Sequence, residues 1–93
     1  MPNHRAAALD FLKAQEHNAL ERLTQLCRIP SVSTDPDHVP DMLKAADWIA
    51  DQLKYIGLDH IQVFPTQRHP IVFGQYFADK IDAPTVLIYG HYD

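Results

Sequence analysis

Leu9, Leu12, Leu20, Leu23 and Leu26 recur on helical spacings, interrupted by the polar middle "KAQEHN". The pattern predicts a first helix over residues 5–27, with Asn3 as its cap. Pro30 ends it, because the residue before a proline is pushed out of helical space. A second stripe is cleaner: Met42, Leu43, Ala46, Ile49, Ala50, Leu53 and Ile56 share one face. It predicts a helix over 39–56. Gly57 suits the left-handed position that closes many helices. Between the two lies "RIPSVSTDPDHVPD", a loop rich in Pro, Ser, Thr and Asp. After Gly57 the period changes. Residues 60–64 and 71–78 read as strands joined by the turn "QRHP", and Gly74 inside the second marks a bulge or a close backbone contact. A further turn, "DKIDAP", leads to residues 85–89, "TVLIY", apolar on both faces like the central strand of a covered sheet. The order is helix, helix, strand, strand, strand, an α/β pattern. Leu12, Leu23, Leu26, Met42, Leu43, Ala46, Ile49 and Leu53 are the predicted core, with both helices packed on the strands.

Bulk properties narrow the possibilities. A chain of 93 residues makes one small domain. Net charge is −4, with the eight Lys and Arg scattered. That speaks against a nucleic-acid partner, which requires a basic stripe. No run approaches the roughly 18 apolar residues of a membrane span, and the N-terminus lacks the apolar segment of a secretory signal. The single cysteine, Cys27, excludes an internal disulfide. These features point to a soluble, cytoplasmic protein.

Candidate chemistry sits beyond the last apolar run, in "GHYD". Ligand sites of open α/β sheets lie outside the carboxyl ends of their strands. A neutral His91 imidazole is a zinc ligand, and Asp93 two residues on can accept the other ring N–H. The bland alternative is a strand that ends in polar residues at a surface. "DPDHVPD" brings Asp35, Asp37, His38 and Asp41 close in sequence, but it lacks the glycine of a calcium loop; helix capping explains its acids better. Cys27 reads as a small buried hydrophobe, His69 as a solvated turn residue, and Trp48 as packing. His4, His17 and His60 show no partner spacing.

"LCRIPSVSTDP", then "AADWIADQLKYIGLD", then "PTVLIYGHYD", resembles the N-terminal end of the M20 family of metallopeptidases, nearest its dipeptidase-like branch. The resemblance runs over nearly the whole chain; the "RIPSVS" loop and "GHYD" are its specific parts. It implies the N-terminal part of a three-layer αβα zinc-peptidase catalytic domain, truncated after the third strand, with the rest of that domain and an inserted dimerisation domain outside residues 1–93. It implies a zinc-dependent exopeptidase that hydrolyses dipeptides or related short amides through a metal-activated water, as a homodimer with two zinc ions. By the same resemblance His91 is a ligand of one zinc, and Asp93 orients its imidazole. The bridging Asp, general-base Glu, further carboxylate ligands and second His of the family have no counterpart here. The isolated chain is therefore expected to be inactive and to self-associate through its uncovered third strand. Two other readings stay open: a small non-catalytic α/β interaction module, and an accessory subunit that supplies His91 across an interface.

Overall fold

A computed structural model describes residues 4–93. Three helices precede a two-stranded antiparallel sheet: α1 Arg5–Ala14, α2 Glu16–Cys27, α3 Val39–Tyr55, β1 Asp59–Phe64 and β2 Ile71–Gln75. The arrangement is α/β, with one helix more and one strand fewer than the sequence pattern predicts. The cap assigned to Asn3 falls outside the described residues.

The predicted first helix is divided. Gln15 (φ −98°, ψ 6°) leaves helical geometry between α1 and α2. The break falls in the polar middle, where no large apolar side chain binds the turn to a neighbour. Backbone bonds from Gln15 N–H to Phe11 O and from Ala19 N–H to Gln15 O carry the chain through the break, and the Asn18 amide donates to Gln15 Oε1 at 2.9 Å. Neither α1 nor α2 buries a residue. Leu12 and Leu23, assigned to the core by their spacing, are 61% and 55% exposed. A helical stripe states which residues share a face, not that anything covers it. α2 is linked to the end of α3 by the Arg22 guanidinium, 5.9 Å above the Tyr55 ring.

The core belongs to α3. Met42, Ala45, Ala46 and Ala50 are buried on one face of that helix. Ile49 and Leu53 are half-buried, and Leu43 lies outward at 51% exposure, against expectation. A 3₁₀ turn, Pro36–His38, leads into α3, and Asp35 caps it by accepting from the Asp37 backbone N–H at 2.9 Å. The other end closes as the glycine predicts. Gly57 adopts φ +93°, its N–H bonds to Lys54 O, and Leu58 N–H reaches back to Leu53 O. These paired bonds form a Schellman motif, which satisfies carbonyls the helix leaves open.

The chain then turns directly into β1. Residues 62–64 pair with 73–71, whereas Asp59 pairs with Gln75, one residue out of that register. The extra residue lies in β1 opposite Gly74, and His60 there takes φ +52°. Ile61, Val63, Val72 and Gly74 consequently share the face turned to α3. A β-carbon on Gly74 would lie 3.2 Å from Leu53 Cδ1 and 3.3 Å from Leu58 Cδ1; the glycine marks a close contact, and the bulge is on the strand opposite. The reverse face carries Phe64 and Phe73, edge to face with centroids 6.3 Å apart. Both are exposed.

The predicted third strand is not formed. Residues 85–89 pair with no strand among the described residues, and Val86 and Ile88 are 80% and 90% exposed. A strand is made by its neighbour's hydrogen bonds, and an apolar run alone does not supply one. The second predicted strand likewise ends at Gln75 instead of 78, where its pairing with β1 stops. The radius of gyration, 15.9 Å, exceeds the roughly 12 Å of a compact domain of this length.

Candidate metal-ligand segment

Two short segments far apart in sequence are drawn together around residues 90–93. The first is the loop after α2. Backbone bonds Ser31 N–H to Ile29 O (2.7 Å) and Val32 N–H to Pro30 O (2.8 Å) fold it into consecutive tight turns. Ser31 and Ser33, two residues apart, both reach the tail. Ser31 Oγ donates to the Tyr92 carbonyl at 3.0 Å. Ser33 Oγ donates to Asp93 Oδ2 at 2.7 Å.

The second segment is the β1–β2 connection. Thr66 Oγ1 donates to His69 O at 2.6 Å and accepts from Arg68 N–H at 3.0 Å, which pins the turn. The pinned turn offers two groups. His69 Nε2 donates to the Ser33 carbonyl at 2.8 Å, and since a carbonyl only accepts, that nitrogen carries the proton. Pro70, which is buried, presents its carbonyl to the Tyr92 hydroxyl at 2.6 Å. His69 is therefore half-buried and bonded, not the solvated turn residue its sequence context suggests.

His91 stands at the tip of this assembly. It is exposed, and its ring meets Tyr89 edge to face at 5.2 Å. The Ser33 hydroxyl holds the Asp93 carboxyl below its ordinary value; local desolvation opposes this, and the imidazoles of His91 and His69 add smaller favourable contributions. Burial, then the Asp93 charge, pushes the Tyr92 phenol up, so it stays a neutral donor to Pro70. His91 thus offers an accessible imidazole two residues from a carboxylate kept anionic, with no hydrogen bond or ion pair between the two side chains in this arrangement. Among the described residues no three His, Cys, Asp or Glu side chains gather as a metal-binding group. This donor set fits one ligand of a metal and its supporting carboxylate, short of the three protein ligands usual at catalytic zinc.

The other acidic cluster serves the helix. His38 Nδ1 contacts Asp41 Oδ2 at 2.9 Å, and its Nε2 lies 3.8 Å from Asp35. Asp35 caps the 3₁₀ turn that leads into α3, and Asp41 sits in the first turn of α3, where its charge opposes the helix dipole. Cys27 is exposed and free, against its assignment as a buried hydrophobe. A concavity of about 660 Å³ formed by residues 76–86 includes none of the tail's hydrogen-bonding partners.

Sequence reasoning singled out His91 and Asp93; Ser31, Ser33, His69 and Tyr92, which hold the segment around them, it did not. Ser31 and Ser33 lie within "RIPSVS", one of the two specific parts of the resemblance, and that specificity was the available signal.

Comparison with known proteins finds metallodipeptidases along nearly the whole chain. A Cys-Gly metallodipeptidase of Candida albicans is 33% identical over 90% of the chain. A cysteinylglycine-S-conjugate dipeptidase of Corynebacterium striatum is 33% identical over 100% of the chain. A Cys-Gly metallodipeptidase of Saccharomyces cerevisiae is 31% identical over 91%. The chain is a sequence relative of the metallodipeptidases. This is the relationship implied by the M20 resemblance. The metallodipeptidase-related chain spans about a fifth of the length of these curated relatives: 20%, 21% and 19%. No family model matches it, and no solved structure does. No helix among the described residues is long and apolar enough to cross a membrane.

Proposed function

We propose that this chain forms part of the catalytic domain of a zinc-dependent dipeptidase, with His91 as a ligand of one of two zinc ions and Asp93 as the carboxylate that orients it. The observation that carries this reading is the junction of "GHYD" with the "RIPSVS" loop, in a chain related throughout to metallodipeptidases. Zinc, when bound, supplies Lewis-acid activation of water and of the peptide carbonyl. The residues of this chain hold and aim. His91 offers one ring nitrogen to the metal, and Asp93 accepts from the N–H of the other, which fixes the tautomer. The remaining ligands and the general base come from further polypeptide.

The names of the relatives make cysteinylglycine and its S-conjugates the first substrates to try. A three-layer αβα domain, a homodimer and a cytoplasmic setting complete the reading. The exposed second face of the sheet and the uncovered residues 85–89 support the extra layers, and an isolated 93-residue chain is expected to be inactive and to self-associate through them.

The test is the product of the complete reading frame, assayed on dipeptides with and without chelator. Hydrolysis that disappears with chelator and returns with zinc is expected. His91→Ala should remove activity and metal together, and Asp93→Ala should weaken metal affinity or activity by about 10–100-fold. Metal content unchanged in His91→Ala would refute the assignment.

A further inference from the structure

We propose that Ser33 is a positioning residue for the metal-ligating histidine: its hydroxyl holds one oxygen of Asp93 and thereby reserves the other for the His91 imidazole. The inference rests on the metal-ligand reading of His91 and deepens it.

A carboxylate orients an imidazole only if it is itself held. Asp93 is exposed, so burial does not fix it. Ser33 Oγ does, at 2.7 Å from Oδ2. An ionised carboxylate only accepts, so Ser33 is the donor, and a charge-assisted bond of this kind is about twice as strong as a neutral one. With Oδ2 engaged, Oδ1 is left for the ring N–H. Ser33 is held in turn. His69 Nε2 donates to its carbonyl at 2.8 Å, and His69 stands on the turn that Thr66 pins from both sides. Ser31 fixes the Tyr92 carbonyl one residue before Asp93, while the Tyr92 hydroxyl anchors to Pro70. The backbone on either side of the Ser33–Asp93 bond is therefore tied down independently of it. The hydroxyl aims one side chain and does not hold the tail in place.

The experiment uses the product of the complete reading frame and zinc itself, competed against a chromophoric chelator. The unfolding midpoint of the metal-free protein is measured alongside. Ser33→Ala should weaken zinc binding about 10-fold, at the lower end of such supporting contacts, with the metal-free midpoint unmoved. Ser33→Thr, which keeps the hydroxyl, should restore affinity; Ser33→Val, close in shape to the Thr variant but without the hydroxyl, should not. That pair carries the test if Ser33→Ala does not fold. In an Asp93→Ala background, Ser33→Ala should have no further effect, because it acts through the carboxylate. Equal affinity in the Thr and Val variants, or an undiminished Ser33→Ala effect without Asp93, overturns the proposal. If His91→Ala loses zinc while Ser33→Ala binds as tightly as the parent protein, this proposal alone falls. If His91→Ala binds zinc normally, the metal-ligand reading falls with it.

Discussion

Leu53 of α3 closes directly over Gly74 of β2, its Cδ1 atom 3.2 Å from where a β-carbon would stand. Leu58 and Ile61 approach the same point at 3.3 and 3.4 Å. Helix and sheet meet here with no room for a larger side chain. The contacting atoms are ends of flexible side chains, so a lone methyl is accommodated by small shifts. A branched side chain is not. Gly74→Val should destabilise by about 1–3 kcal/mol, with Gly74→Ala clearly milder, as read by chemical denaturation. Equal stability of the Val variant would show that α3 does not seat on the strand at this point.

Gly57 tests the other end of the same junction. A β-carbon there meets nothing within 4 Å, so space is not the constraint; φ +93° is. Gly57→Ala should cost about 1–2 kcal/mol through backbone strain alone. Gly57→Asn should cost less, because Asn tolerates left-handed geometry. Denaturation midpoints of the two variants check the order.

The uneven distribution of burial gives a third expectation, measured on the 93-residue chain. Met42→Ala should lose about 2–5 kcal/mol, the range for a deleted core side chain. Leu12→Ala should fall within about 0.5 kcal/mol of the parent. A large loss at Leu12 would mean that α1 has found a cover.

His38 supplies a pH dependence. Its hydrogen bond to Asp41 raises its pKa above 6.5; desolvation acts the other way, and the charges of Asp35, Asp41 and Asp37 raise it further. A raised value means that the folded state binds the proton more tightly. The stabilisation is therefore complete below the ordinary value and disappears as pH rises through the raised one. The unfolding midpoint of His38→Gln should fall below that of the parent at roughly pH 5 and converge with it near pH 8. A gap that widens with pH would reverse the assignment.

How much could be read from residues alone depended on how local the cause was. α3 and its glycine stop were legible, because the stripe from Met42 to Leu53 and the left-handed Gly57 act within a few turns of chain. The capping role of Asp35 was legible for the same reason. The interruption at Gln15 was visible only as a polar stretch, and its angle is not a property of composition. Residues 85–89 misled because an apolar run shows what a strand would bury, not which strand would pair with it. His69 misled because its partner, the Ser33 carbonyl, lies 36 residues away. His91 and Asp93 were singled out by their place after the apolar run and by resemblance, while the hydroxyl that holds Asp93 is separated from it by 60 residues.

Among the described residues, the hydrogen bonds to Tyr92 and Asp93 come from earlier in the chain. Ser31, Ser33, His69 and Pro70 precede Tyr92 and Asp93, and 61 residues separate Ser31 from its partner. On a ribosome adding roughly 5–20 residues per second, that interval lasts about 3–12 s. Helix and hairpin formation take microseconds. The loop thus has time to form before the histidine is synthesised, and the pinned turn, 22 residues before Tyr92, has about 1–4 s. The receiving frame can stand ready as the ligand-bearing residues emerge, so the histidine meets its support in the order of translation.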